Sequence, residues 1–457
     1  MKLIVSISGI RGIVGQTLTP DVIVNYSAAF AEYCNRKPIV LGRDGRITGK
    51  IVGNLVASTL LSMGCDVIAL GVVPTPTVQI AVEKFRAGGG ISITASHNPM
   101  EWNGLKFIGG DGIFLNGEEN RRLWDIADRQ AWNYEAWNKT GNHSTVSSFI
   151  ERHIDLVLRL PYIKLDSLRQ RKFKVVVDCI NAAGGAVVPI LLRNLGCEVI
   201  ELNCEVSGVF SHTPEPIPQN LTDLCSRVRE SKADLGIAVD PDVDRLVFVT
   251  EKGEPFSEEN TIAGVVDFIL NEEAKRPAGQ RHNVVVNLST TRAVDDIASN
   301  YGAEVLRSPV GEINVVEKMK QCGAIVGGEG SGGVILTQAH LGRDALVGIG
   351  LMLQHLANTG GSLSELKAAM PQYSIVKDKI ILDHKPASDI FTLLADRFSG
   401  KGKITTDDGL KIDFPESWVH LRTSNTEPII RIIAEAHSGE EAGQLVHEFK
   451  QTISKMV

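Results

Sequence analysis

In the stretch ITASHNPMEWNGLKF, Ile93 to Phe107, five residues could carry chemistry: Thr94, Ser96, His97, Asn98 and Lys106. They follow a short strand-like run, and Asn-Pro and Asn-Gly turns shape the return. A serine hydroxyl beside an imidazole, with a lysine coming back after the turn, is a nucleophile with groups able to handle its proton. Taken alone, the stretch reads equally well as a polar loop.

A second stretch, ADLGIAVDPDVDRLVFVTEKG, sets Asp240, Asp242 and Asp244 at alternate positions between the apolar runs Leu235 to Val239 and Leu246 to Val249. Three carboxylates this close repel one another unless a cation compensates or water screens them. A solvated acidic turn accounts for two such residues better than for three between buried strands. An EF-hand is excluded: Arg245 stands where the calcium loop needs glycine, and the flanks read as strands rather than helices. Mg²⁺ held by three monodentate oxygens, with positions left for water or phosphate, is the expected occupant.

Three further stretches add partners. GGEGSGGVI, Gly327 to Ile335, offers Glu329 and Ser331 in a glycine-rich loop without the spacing or lysine of a Walker A loop. Close backbone approach with a carboxylate acceptor suits sugar hydroxyls, and a purely structural glycine turn fits this stretch equally. LRTSNTEPIIR places Arg422, Ser424, Asn425 and Thr426 in one turn-like loop, a phosphate cradle or a polar loop ending at Pro428. SGIRGIVG holds Arg11 between glycines, where its side chain can reach into a cleft.

The elements that must position these residues repeat. KPIVLGRDGRITG through LVASTLLSMGCDVIAL, FKVVVDCINAAGG through LLRNLGCEVIEL, and HNVVVNLSTTRAV through IASNYGAEVLRS share one order: apolar run, polar turn, helix-like stretch, glycine, second apolar run. Gly64, Gly196 and Gly302 occupy the same place, where a left-handed helix cap is expected. Val175 to Val177 and Val284 to Val286 lack alternation, as strands buried on both faces do. Strand, helix, strand at this spacing implies right-handed βαβ crossovers. The expected fold is therefore α/β: three related α/β domains with mixed sheets, then a C-terminal α+β domain, arranged around a central cleft. One large doubly wound domain is the alternative. Boundaries are expected at 1–155, 156–258, 259–372 and 373–457, with a surface helix and loop over Trp124 to His143.

Composition narrows the classes. A chain of 457 residues, 43% hydrophobic and 22% charged, excludes wholesale disorder, and a net charge of −7 gives no support to nonspecific nucleic-acid or anionic-membrane binding. Seven scattered cysteines with no C-x-x-C pair disfavour a disulfide framework or structural zinc and fit a reducing cytosol. With no signal-type leader and no run of about 20 apolar residues, the expected location is cytoplasmic.

Together these stretches resemble the α-D-phosphohexomutase family over essentially the whole chain. The resemblance rests on Ser-Gly-Ile-Arg-Gly at 8–12, Thr-Ala-Ser-His-Asn-Pro at 94–99, Asn-Gly-Leu-Lys at 103–106, Asp-Pro-Asp-x-Asp-Arg at 240–245, Gly-Glu-x-Ser-Gly at 328–332 and Arg-x-Ser-Asn-Thr-Glu-Pro at 422–428. It implies four domains, named in order for phosphoserine, metal, sugar and phosphate. It also implies that Ser96 is the phosphoserine, its phosphate bridged to Mg²⁺, and that Asp240, Asp242 and Asp244 are the other metal ligands. Glu329 and Ser331 would contact the sugar, and Arg422, Ser424, Asn425 and Thr426 the phosphate not being transferred. Arg11, Lys106 and Arg245 would surround the transferring phosphate, with Lys106 or His97 the general base. The implied reaction moves phosphate between O1 and O6 of a hexose phosphate through a hexose 1,6-bisphosphate.

One departure stands out: Gly333 follows Gly332 where many relatives carry histidine, so an acid/base contact there is absent. Arg307 to Met319 falls where the family has its specificity loop, and Val310-Gly311-Glu312 resembles the Val-Gly-Asp type of phosphoglucosamine mutases. Glucosamine phosphate is therefore the expected substrate, with mannose and glucose phosphates as alternatives. A metal-dependent sugar phosphatase and a nonenzymatic sugar-phosphate sensor are the rival classes. The oligomeric state is open, a homodimer included.

Overall fold

The computed structural model describes residues 2–276, 282–382, 386–423 and 429–455. In the first sheet the strands are β1 (Ile4–Ser6), β2 (Gly9–Ile13), β3 (Ile39–Arg43), β4 (Val67–Val72), β5 (Gly89–Ile93), β6 (Trp102–Gly109) and β7 (His143–Thr145). The second holds β8 (Lys174–Asp178), β9 (Glu198–Leu202), β10 (Leu235–Val239) and β11 (Leu246–Thr250). β12 (Asn283–Asn287), β13 (Glu304–Ser308), β14 (Val326–Glu329) and β15 (Gly333–Leu336) form the third.

These sheets share one topology. In the orders β4-β3-β5-β6, β9-β8-β10-β11 and β13-β12-β14-β15 the first three strands are parallel and the fourth turns back antiparallel. The crossover helices are Gly49–Ser62, Val188–Asn194 and Ala293–Asn300. Soon after each comes the equivalent glycine, Gly64, Gly196 or Gly302, at φ +86°, +90° and +65°. Three separate sheets with one repeated order exclude the single doubly wound domain. The first sheet alone is extended, by the β1–β2 hairpin on one edge and by β7 on the other.

β7 differs from the expected helix and loop. Helix Gly117–Arg129 is present, opened by a capping box of Asn116 and Glu119, but His143 begins a strand parallel to β4. All three of its side chains are exposed, so it carries no hydrophobic alternation to read. Residue 155 falls inside helix Phe149–Leu158.

The C-terminal sheet, order β16-β20-β19-β18-β17, is antiparallel throughout: β16 (Ser374–Ile381), β17 (Lys403–Thr405), β18 (Leu410–Asp413), β19 (Trp418–Thr423) and β20 (Ile429–Ala436). Cores run across the first three units. One apolar cluster joins Val177 and Ile237 of the second sheet to Val284 and Val326 of the third. Another joins Val40 and Val78 to Val285 and Val316. The C-terminal unit buries its own cluster around Ile412, Leu421 and Phe449 and meets the third largely through polar contacts. Among these, Arg292 donates to the carbonyls of Phe414 (2.8 Å) and Pro415 (2.7 Å), and the Tyr373 hydroxyl donates to Asp296 (2.7 Å).

The repeat also places the chemistry. The turn between the third strand and its antiparallel successor carries Ser96 in the first unit, Asp240 to Asp244 in the second and Glu329 to Gly332 in the third. Each turn includes a left-handed residue: Ser96 at φ +50°, Val243 at +61° and Gly332 at +87°. For serine, and more so for β-branched valine, this conformation costs about 1–2 kcal/mol.

Candidate active site

Ser96 is held by its own loop and by a buried arginine. Its backbone N–H donates to Thr94 Oγ1 (2.8 Å), whose hydroxyl donates to Asp44 Oδ2 (2.6 Å). Arg46, fully buried, donates to the same Asp44 Oδ2 (2.9 Å) and to the carbonyls of Ser96 (2.5 Å), Asn98 (2.7 Å), Pro99 (2.6 Å) and Trp102 (3.0 Å). One planar guanidinium thus ties down both ends of the turn, which a lysine could not do. The result aims Ser96 Oγ at Asp240 Oδ2, 3.0 Å away, and leaves it 3.3 Å from His97 Nδ1.

Asp240, Asp242 and Asp244 are all buried, and one oxygen from each lies within 4.8 Å of the others. Asp240 Oδ1 accepts the backbone N–H groups of Asp244 and Arg245, both at 3.1 Å. Asp242 Oδ2 accepts from Thr75 Oγ1 (2.7 Å) and Lys106 Nζ (2.6 Å); Asp244 Oδ2 accepts from Lys106 (3.0 Å) and Arg343 Nη2 (2.6 Å). Asp242 Oδ1 and Asp244 Oδ1 are buried without a partner. Orphaned carboxylate oxygens inside a protein call for a cation. Burial, then the charges of Asp244 and Asp242, push the Asp240 carboxyl well above the usual range. A divalent ion bound among the three oxygens would relieve that strain, so the residues fit Mg²⁺.

Cations gather on the other side of Ser96. Arg11, Lys106 and Arg245 line one cavity of about 430 Å³ with Ser96 and His97, where the charge of Arg343 is already met by carboxylates. Arg11 Nη1 donates to Asn98 Oδ1 (3.1 Å). Burial and the neighbouring Arg245 depress the Arg11 guanidinium. Arg245, burial and Arg11 together drive the His97 imidazole well below its ordinary value. Burial opposes the charge on Lys106, but Asp242 and Asp244 outweigh it and raise the ammonium. Positive groups that destabilise one another around a hydroxyl form a seat for an anion.

The same cavity reaches the other two units. Glu329 Oε1 accepts from Asn287 Nδ2 (2.9 Å) and the Gly311 N–H (3.0 Å), and Oε2 accepts from Arg343 Nη1 (2.6 Å). Ser331, Glu259 and Glu312 complete the wall beside it, while Lys377, Arg422 and Arg431 enter from the C-terminal unit. Arg422 Nε is 2.9 Å from Asp408 Oδ2, which also accepts the Val310 N–H (2.9 Å). Of the expected site residues, Arg11, Ser96, His97, Lys106, Arg245, Glu329, Ser331 and Arg422 thus face one cavity, and the three aspartates lie behind Ser96. Ser424, Asn425 and Thr426 lie outside the described residues.

Four family models match in succession: phosphoglucomutase/phosphomannomutase alpha/beta/alpha domain I over residues 2–133, domain II over 151–253, domain III over 259–373 and the C-terminal domain over 374–452. The chain belongs to the phosphoglucomutase/phosphomannomutase family. A probable phosphoglucosamine mutase of Methanopyrus kandleri is 36% identical over 98% of this chain and 97% of its own. A phosphoglucomutase/phosphomannomutase of Thermococcus kodakarensis is also 36% identical, over 95% and 94%. Among solved structures, a phosphoglucomutase/phosphomannomutase family protein of Burkholderia thailandensis superposes with a TM-score of 0.86 at 26% identity, covering 99% of this chain and 98% of that one.

Membership makes the chain a phosphohexomutase, an isomerase of the phosphotransferase type. Sequence reasoning missed Arg46, which holds the Ser96 turn from beneath, and several residues that line this phosphohexomutase's cavity. Arg46 lies in the segment GRDGR, read there as the polar turn of a repeat, and Arg343 lies in GRD at 342–344, which stood out in no way. Glu259 and Lys377 occur in ordinary surface-like helix and strand sequence. Only the tertiary arrangement brings them to the site.

Proposed function

We propose that this phosphohexomutase interconverts glucosamine 6-phosphate and glucosamine 1-phosphate through phospho-Ser96 and a bound 1,6-bisphosphate. The observation that carries the reading is the 3.0 Å approach of Ser96 Oγ to Asp240 in a cavity with cations on one wall and Arg422 on another. In the first half-reaction the P–Oγ bond of phospho-Ser96 breaks while a bond forms from phosphorus to the free sugar hydroxyl. The hydroxyl proton passes to the His97 imidazole, which its cationic neighbours keep neutral, and from it to the departing Ser96 Oγ 3.3 Å away. Lys106 does not serve as the base, because Asp242 and Asp244 hold its ammonium protonated. The bisphosphate turns without leaving, and Ser96 Oγ takes the other phosphate back.

Arg11, Arg245 and Lys106 hold the charge that spreads over the transferring phosphoryl oxygens. Asp240, Asp242 and Asp244, with an oxygen of phospho-Ser96, would hold Mg²⁺, which supplies Lewis-acid neutralisation of that charge. Arg422, with Ser424, Asn425 and Thr426, would hold the phosphate at the far end. Glu329 and Ser331 accept and donate to sugar hydroxyls. In this scheme the four units act as phosphoserine, metal, sugar and phosphate domains, with boundaries near 155, 258 and 372.

Glucosamine is favoured because Val310, Gly311 and Glu312, the segment that resembles the Val-Gly-Asp type of phosphoglucosamine mutases, line the cavity beside Glu329. The name of the Methanopyrus relative supports the same choice. Free cysteines at all seven positions are in keeping with the reducing cytoplasm, and among the described residues no helix is long and apolar enough to cross a membrane.

A coupled assay across glucosamine, mannose and glucose 6-phosphates with bisphosphate activator tests the proposal. The highest kcat/KM should fall to glucosamine 6-phosphate. Release of free phosphate faster than isomer formation would favour the phosphatase reading, against which the second phosphate contact at Arg422 speaks.

A further inference from the structure

Arg343 joins the metal loop to the sugar loop. It precedes Asp344, which caps helix Ala345–Thr359 by accepting the N–H groups of Leu346 (2.8 Å) and Val347 (3.3 Å). Asp344 is further fixed by His153 Nε2 (2.7 Å) and His340 Nε2 (3.1 Å), so the backbone that launches Arg343 is rigid. The guanidinium spends each nitrogen on a different carboxylate. Nε donates to Glu312 Oε2 (3.0 Å), Nη1 to Glu329 Oε2 (2.6 Å) and Nη2 to Asp244 Oδ2 (2.6 Å). All four residues are buried, where such charge-assisted bonds fix orientation most strongly.

Room for this arm comes from position 333. A Cβ built on Gly333 would lie 2.2 Å from Arg343 Cδ and 3.0 Å from Cγ. Gly333 has no positive φ, so the glycine is required by space rather than by backbone conformation. Any side chain at 333 would evict the arm of Arg343 from between the two loops.

We infer that Arg343, seated in the space left by Gly333, is a positioning residue that holds Glu329 in register with Asp244, so that the sugar hydroxyls are presented at a fixed place relative to the metal loop and phospho-Ser96. This rests on the sugar-phosphate reading of the cavity. By occupying Glu329 Oε2 and Asp244 Oδ2, Arg343 decides which oxygens remain for the hydroxyls and the cation.

The test measures binding to protein that cannot transfer phosphate. Calorimetric titration of Ser96→Ala protein with glucosamine 6-phosphate and, separately, inorganic phosphate gives the two reference affinities. Adding Arg343→Lys should weaken the sugar phosphate about tenfold and leave inorganic phosphate, which has no hydroxyls for Glu329 to read, unchanged. In otherwise wild-type enzyme Gly333→Ala should lower kcat/KM as much as Arg343→Ala, and the double variant should be no worse than Arg343→Ala alone. Equal affinity of both Ser96→Ala proteins for glucosamine 6-phosphate would overturn the inference. So would a parallel loss of inorganic phosphate, additive losses in the double variant, or full activity of Gly333→Ala. A wild-type enzyme without mutase activity would instead sink the proposed function, and the titrations would still judge Arg343.

Discussion

Ser96 Oγ and Asp240 Oδ2 meet at 3.0 Å across 144 residues of sequence, each at the tip of the same turn in two copies of one repeat. The third copy supplies Glu329 and Ser331. Ser96, the aspartate loop and the Glu329–Gly332 turn therefore converge because three units of equal topology pack with equivalent strand ends facing one cavity.

The aspartate loop predicts metal-linked stability. Adding Mg²⁺ at about 100 times its Kd should stabilise the protein by about 2.7 kcal/mol, and EDTA should reverse the gain. Asp242→Asn, which alters one of the two orphaned carboxylates, should abolish the shift in a thermal melt. An undiminished shift in that variant would remove Asp242 from the metal site.

Arg46 predicts a separation of stability from rate. Arg46→Met leaves Asp44 buried without its cation and should cost about 3–5 kcal/mol in urea denaturation. Arg46→Lys keeps a charge but cannot reach four carbonyls, so Ser96 should drift and kcat should fall on the order of 10²-fold with KM little changed. A lysine variant with wild-type kcat would show that the Ser96 turn holds itself.

Glu259 predicts a pH dependence. Burial pushes its carboxyl from 4.5 up to about 8, so the folded chain keeps a proton that the unfolded chain releases. Stability should therefore fall as pH rises from about 4.5 to about 8 and level off above that. Glu259→Gln has no proton to lose. Its stability relative to wild type should grow across the same window, as urea midpoints at several pH values would reveal; a constant difference would contradict the shift.

Much of this was legible in the sequence for reasons visible in particular residues. Buried valine runs and the glycines after each crossover helix mark the repeat because two-sided burial and left-handed caps constrain residue type strongly. Asp240, Asp242 and Asp244 were legible because three packed carboxylates are costly without a cation. Arg46, Arg343 and Glu259 were not, since a lone charged residue acquires meaning only from partners distant along the chain, such as Ser96 for Arg46 and Asp244 for Arg343. β7 escaped because an exposed edge strand of His, Ser and Thr has no apolar face to betray it.

Ser96→Ala should abolish isomerisation, with kcat reduced on the order of 10³-fold or more, while the melting temperature stays close to wild type. Residual activity near wild type would move the nucleophile elsewhere.

The most direct test of the central claim follows the phosphate itself. Intact-mass and peptide mapping of purified enzyme, before and after one turnover's worth of glucosamine 6-phosphate, should find phosphate on Ser96, its loss as glucosamine 1,6-bisphosphate forms, and its return as glucosamine 1-phosphate appears. Isomer formation while Ser96 stays unmodified throughout would contradict the account.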